Sequence, residues 1–189
     1  KDADFAVIEM GASGAGEISY LCSIAEPKIT LINNVQAAHL EGFGSIEGIA
    51  AAKGEIYSAL QESGTAVLNI DQSWADQWRD LIGDKHCVTF SLEDSVADIS
   101  AANIQVLDKG CCQFLLQTPM GKQSITLAIP GRHSVSNALA AAACAYAAGA
   151  NLTQIVDGLE SAESPARRLQ RKTLPRGGVV IDDSYNASP

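Results

Sequence analysis

Lys53 occupies a position where a lysine is either incidental or chemical. From Ser45, an N-cap by type, an apolar stripe of Ile49, Ile56 and Leu60 runs at helical offsets of seven and four, and Lys53 falls on it. Such a lysine either snorkels outward along its stem or sits in a poorly solvated place. Desolvation would lower its ammonium pKa and leave a neutral amine, a nucleophile open to chemical modification. His39 lies upstream, in a loop with Gly42 and Gly44, after an apolar run Ile29 to Ile32 that stops at the amides Asn33 and Asn34. That reads as a strand followed by a functional loop, an arrangement that allows His39 and Lys53 to share one site. Glu9 ends an earlier apolar run, Phe5 to Met10, and so marks a second strand end.

The elements that must hold these residues alternate along the chain. The predicted strand Phe5–Met10 leads into Gly11-Ala-Ser-Gly14-Ala-Gly16 and a helix with Ile18, Leu21, Cys22 and Ala25 on one face. Strand, glycine loop and helix outline a phosphate-binding unit. The spacing, however, is neither Gly-x-Gly-x-x-Gly nor a loop ending in Gly-Lys-Ser/Thr, so the glycines read as a tight turn. Strands follow at Ala66–Ile70 and Cys87–Phe90, with a short helix around Trp74 and Trp78 between them. Strands alternating with helices predict a parallel sheet covered by helices on both faces, with ligands beyond the carboxyl ends of its strands. Glu9, Asn33 and Asn34 sit at such ends.

From Ile99 the texture becomes alternating: Ile104 and Val106, Phe114 and Leu116, then Ile125, Leu127 and Ile129, with a turn at Pro119-Met-Gly121. This predicts a smaller antiparallel meander. Pro130 to Asn137 opens an Ala-rich helix that Gly149 ends, and a short helix near Asn151 carries Ile155, Val156 and Leu159. By type alone, His133 and Asn137 are polar residues at a helix start, and Arg167-Arg168 is a solvated pair. A strand Leu169–Leu174, a turn at Gly177-Gly178 and a strand Val179–Ile181 ending in Asp182-Asp183 complete the pattern. The fold class is therefore α/β, a mostly parallel sheet flanked by helices with an antiparallel meander.

Composition narrows the function. With 189 residues, 47% of them hydrophobic, the chain can bury a full core. A formal net charge of −9 argues against a nucleic-acid partner and suits a divalent cation. Five cysteines, Cys22, Cys87, Cys111, Cys112 and Cys144, show no Cys-x-x-Cys spacing, which points to reduced, cytoplasmic thiols. No apolar run approaches the roughly 20 residues of a membrane span, so no membrane insertion is expected. The first residue is Lys1, followed almost at once by a strand, as in a piece excised from a longer protein.

Asn-Asn-Val-Gln-Ala-Ala-His-Leu-Glu-Gly-Phe-Gly-Ser (33–45) followed by Ala-Lys-Gly-Glu-Ile (52–56) resembles the Mur ligases of peptidoglycan synthesis, and the likeness covers essentially the whole chain. Gly131 to Ala141 is similar to the family pattern Gly-x-His-Asn-x-x-Asn-Ala-Leu-Ala-Ala, whose last asparagine recognises adenine. Asn137 matches it, with His133 beside it, while Ser134 replaces the first asparagine. Arg168-Leu169 matches a Gly-Arg-Leu segment that contacts nucleotide phosphates, with Arg167 in place of the glycine. Asp-Asp-Ser-Tyr-Asn-Ala-Ser-Pro (182–189) resembles the signature that starts the carboxyl-terminal domain, in which Asp183 would hold the ribose.

The resemblance implies a central ATPase domain over residues 1–163, without its upstream phosphate loop, and over 164–189 a linker with the start of the carboxyl-terminal domain. It implies a cytoplasmic, monomeric, ATP- and Mg2+-dependent ligase of cell-wall biogenesis, acting in cell shape and division. This enzyme would join D-alanyl-D-alanine to UDP-N-acetylmuramoyl-tripeptide through an acyl phosphate, and the 189-residue piece alone is expected to be inactive. Glu9, His39 and Lys53 would serve the metal, Lys53 as a carbamate. Lys53, His39 and Arg168 would serve catalysis, and Asn137, His133, Asp183 and Arg168 the nucleotide. Two alternatives stand beside it: another Mur-type or folylpolyglutamate-type ligase, and a non-catalytic nucleotide-binding module. Glu9, His39 and Lys53 together argue against the second, since adenine binding needs none of them.

Overall fold

A computed structural model describes residues 3–36, 40–164, 170–175 and 177–185. His39 and Arg168, both expected to act in the site, lie outside these residues, as does 186–189. A first helix, α1 (Glu17–Ala25), precedes strand β1 (Ile29–Ile32), the short turn α2 (Leu40–Phe43) and α3 (Ile46–Ser58). Then come β2 (Thr65–Asn69), α4 (Ala75–Ile82), β3 (His86–Ser91) and β4 (Ile99–Val106). Strands β5 (Cys112–Thr118) and β6 (Gly121–Thr126), helices α5 (Arg132–Ala147) and α6 (Leu152–Glu160), and strands β7 (Gln170–Thr173) and β8 (Val179–Asp182) follow.

One six-stranded sheet has the order β1-β2-β3-β4-β5-β6. The first four strands pair in parallel, and β5 and β6 continue antiparallel. The alternating stretch from Ile99 forms the expected antiparallel meander β4-β5-β6, joined through β4 to the parallel half of the same sheet. β7 and β8 form their own antiparallel pair, Gln170 opposite Asp182.

Period-2 alternation sorts the core. In β2, Val67 joins the core under α5 and α6, with Phe90, Phe114, Leu116, Leu139 and Ile155. Ala66 and Leu68 face the other core, with Ile49 and Tyr57 of α3, Leu60 just beyond it and Trp78 of α4. Two polar tips are satisfied there: Tyr57 Oη donates to the Val67 carbonyl at 2.7 Å and accepts from Ile32 N–H at 3.2 Å, and Trp78 Nε1 donates to the Ala50 carbonyl at 3.1 Å. Ser45 caps α3 as its type predicts, accepting from Gly48 N–H, and Asn151 and Gln154 form a capping box on α6.

The expected strand Phe5–Met10 does not form. Residues 3–12 carry no regular structure, and Phe5, Val7 and Ile8 are 72%, 101% and 60% exposed. An apolar β-branched run becomes a strand only where a neighbour pairs its backbone. Among the described residues, β1 is the sheet's edge and no strand lies beyond it.

Candidate active site

Parallel strands end on one side, and here the ends of β1, β2 and β3 carry polar side chains that reach a neighbour. At the end of β2, Asn69 is 3% exposed; its Nδ2 donates to the Asn33 carbonyl at 2.8 Å, and its Oδ1 accepts from Asp71 N–H at 3.0 Å. The Asp71 carboxylate accepts from the Ser91 hydroxyl at the end of β3 and from Leu92 N–H at 2.7 Å. Side chains thus supply partners where the strand ladder stops, as backbone groups beyond a sheet require. The Asn33-Asn34 pair faces two ways: Asn33 Nδ2 donates to Asn137 Oδ1 at 2.8 Å, and the Asn34 carbonyl accepts from Lys53 Nζ at 2.9 Å.

Helix α5 begins beside these ends. Gly131 has φ +97°, and a Cβ there would lie 2.4 Å from Cε1 of His133, so the imidazole packs over a position only glycine can fill. Ser134, in the place of the family asparagine, is buried and donates to the Pro130 carbonyl at 2.7 Å. Its hydrogen is taken up within the turn, while the residue itself lies in the lining of the cleft that α5 borders. His133 and Asn137, four residues apart on one helix face, rim a cleft of about 860 Å³ together with Glu9, Asp183 and Tyr185. Its wall is apolar, from Leu127, Ile129, Ala138, Ala141 and Leu159. An apolar slot with a few converging polar groups is what a small-molecule site requires.

Four expected site residues, Glu9, His133, Asn137 and Asp183, therefore meet in one cleft although they span most of the chain. Lys53 does not line it. It lies on the other flank of the Asn33-Asn34 pair, half-buried, and loss of hydration pushes its ammonium below the usual lysine range. Among the described residues, Lys53 has no carboxylate within ion-pair distance and no three His, Cys, Asp or Glu side chains cluster as a metal site. Asn34 connects Lys53 to the strand end, and Asn33 connects that strand end to the cleft.

The glycine loop is not an anion cradle. Glu55 accepts from Gly16 N–H at 2.6 Å and Ser19 N–H at 3.1 Å, and Glu17 accepts from Ser13 N–H at 2.8 Å. Carboxylates already take the amides at the start of α1 that a phosphate would use. The loop instead receives α2: a Cβ on Gly42 would lie 2.0 Å from the Ser13 carbonyl oxygen, so only glycine lets this turn approach.

Sequence reasoning passed over the Asn33–Asn137 bond, the Asn69–Asp71–Ser91 chain and Tyr185 in the cleft. The available signal was an amide, an acid or a hydroxyl recurring at the ends of three strands. The pairing across 104 positions needed the fold.

Comparisons with known proteins agree with this fold. The Mur ligase middle domain matches residues 1–145. The UDP-N-acetylmuramoyl-tripeptide--D-alanyl-D-alanine ligase of Escherichia coli K12 is 44% identical over 185 residues, covering 98% of this chain and 41% of that protein. Its Haemophilus influenzae counterpart is 41% identical, covering 97% and 39%. Among solved structures, MurF from Acinetobacter baumannii superposes with a TM-score of 0.87 at 35% identity, covering 94% of this chain and 38% of that one. MurF ligase from Thermotoga maritima in complex with ADP gives 0.77 at 26% identity, covering 95% and 40%. The chain spans about two fifths of the length of these relatives. With the middle domain matched over residues 1–145 and the same fold in its solved relatives, the chain belongs to the Mur ligase family.

Proposed function

We propose that this chain is the nucleotide-binding part of an ATP-dependent ligase that joins D-alanyl-D-alanine to UDP-N-acetylmuramoyl-tripeptide, working as a monomer in the cytoplasm on a peptidoglycan precursor. Residues 1–163 form the nucleotide-binding domain, and 164–189 lead into the next. The observation that carries the reading is the cleft itself, where Glu9, His133, Asn137 and Asp183 converge over an apolar wall. The relatives named for this reaction and the ADP in the Thermotoga structure support it.

In this reading the base lies against Leu127, Ala138 and Leu159, and the Asn137 amide pairs with its edge, as an amide does with adenine. Asp183 accepts from ribose hydroxyls, and Arg168 takes up phosphate charge. The tripeptide carboxylate attacks the γ-phosphorus of ATP and ADP leaves. The amine of D-alanyl-D-alanine then attacks the acyl phosphate, releasing phosphate and a proton as the amide forms. Mg2+ fits the donors present, because Glu9 has no hydrogen-bond or ion-pair partner among the described residues, and a phosphate-bound Mg2+ needs only one or two protein carboxylates. When bound, it would neutralise charge as two anions approach. Glu9 would hold it at the cleft; His39 and a carbamate on Lys53 would also serve the metal, Lys53 from the other flank of the Asn33-Asn34 pair. The lowered proton affinity of Lys53 favours the neutral amine from which a carbamate forms.

The test is product formation by the full-length protein carrying this chain. ATP, UDP-N-acetylmuramoyl-tripeptide and D-alanyl-D-alanine should give one ADP and one phosphate per adduct. Glutamate or diaminopimelate in place of the dipeptide should give none. Turnover with those amino acids and not the dipeptide would move the chain to another branch of the family.

A further inference from the structure

We propose that Asn33 is a positioning residue that sets nucleotide-base selectivity by fixing which way round the Asn137 amide faces. The inference rests on the reading above in which Asn137 meets the base. It concerns a residue one step behind that contact.

A terminal amide is ambiguous, because half a turn about its last torsion exchanges the donor and the acceptor. Adenine offers an exocyclic donor beside a ring acceptor, whereas guanine offers an acceptor in the exocyclic position. An asparagine that presents Oδ1 to the exocyclic group and Nδ2 to the ring therefore selects adenine, and one free to turn over discriminates less, since its Nδ2 can then donate to the guanine oxygen. In this fold Asn33 Nδ2 donates to Asn137 Oδ1 at 2.8 Å. A carbonyl oxygen has two lone pairs, so this bond holds Oδ1 in place and leaves its second lone pair for an exocyclic amine.

The backbone that carries Asn33 is pinned, its side-chain Nδ2 is engaged by Asn137, and its Oδ1 is buried with no partner among the described residues. The Asn33 carbonyl accepts from the buried Asn69 at 2.8 Å, and the next carbonyl, of Asn34, accepts from Lys53 at 2.9 Å. Asn69 is itself held by Asp71 N–H at 3.0 Å. Asn33 is not part of the cleft's lining and touches Asn137, which is.

The experiment is steady-state ligation by the full-length protein with ATP and with GTP, for the native chain, Asn33→Ala, Asn33→Asp, Asn137→Ala and the Asn33→Ala/Asn137→Ala double variant. Asn33→Ala should raise the KM for ATP about 3- to 10-fold, the range of one neutral hydrogen bond. The kcat and both peptide KM values should stay near native, and the ATP:GTP ratio of kcat/KM should fall by the same factor. The near-isosteric Asn33→Asp, which turns the donor into an acceptor and draws Asn137 Nδ2 inward, should lower that ratio at least as far, and it carries the test if Asn33→Ala melts below the assay temperature. In the Asn137→Ala background, Asn33→Ala should change nothing further. An undiminished effect there, or equal losses with all three substrates, overturns the proposal. If Asn137→Ala lowers the ATP:GTP ratio and the Asn33 variants do not, the positioning role alone fails. If Asn137→Ala leaves the ratio unchanged, the adenine reading fails and the proposal with it.

Discussion

Asn33 Nδ2 donates to Asn137 Oδ1 at 2.8 Å, joining the end of β1 to the first turns of α5 across 104 positions of sequence. Through this bond the strand-end network touches the cleft, and the network's central member is Asn69. Removing that side chain in Asn69→Ala strips partners from the Asn33 carbonyl and from Asp71 N–H. A loss of about 1–3 kcal/mol is expected, measured as a lowered urea or thermal midpoint in the full-length protein, together with weaker ATP binding. An unchanged midpoint would show that water replaces both bonds without cost.

Lys53 gives stability a definite pH dependence while its amine is unmodified. Burial lowers its folded-state pKa below the unfolded value near 10.4, so between the two the unfolded chain binds more protons and stability rises with pH. The melting temperature of the native protein minus that of Lys53→Met should therefore increase as pH is raised from 7 towards 10 in carbon-dioxide-free buffer. A constant difference would mean that Lys53 is solvated like a surface lysine.

Activity should depend on Lys53 in a different way. With a carbamate there, Lys53→Ala should lose most ligation, on the order of 10²-fold or more, while the protein stays folded. A short carboxylic acid should restore part of the rate by occupying the vacated space. Lys53→Arg should remain inactive, since it keeps a positive charge and cannot carry a carbamate. Ligation rates with and without the acid, beside thermal melts, decide this, and near-native activity in either variant would leave Lys53 a packing residue.

Local signals in the sequence marked most elements, because caps and periodicity act over a few residues: Ser45, Asn151 and the Ile49, Ile56 and Leu60 stripe each behave in the fold as their types suggest. The run Phe5–Met10 misled, because an apolar β-branched pattern says what a segment would do beside a strand and not whether one is there. Glu9, His133, Asn137 and Asp183 were marked by resemblance, and their convergence is a property of the fold. The separation of Lys53 from the cleft by the Asn33-Asn34 pair could not be read from spacing. Lys53 and His39 are close in sequence, which says nothing of which side of a strand end each one serves.

In the proposed function, the cleft rimmed by Glu9, His133, Asn137 and Asp183 binds the adenine nucleotide of a ligase. The most direct test of this is the set of three KM values, for ATP, UDP-N-acetylmuramoyl-tripeptide and D-alanyl-D-alanine, measured on the native full-length protein and on Asn137→Ala. The expected result is a rise of about tenfold in the KM for ATP, from losing one or two hydrogen bonds to the base, with both peptide values within about twofold of native. An equal rise in all three, or a rise confined to a peptide substrate, would contradict it.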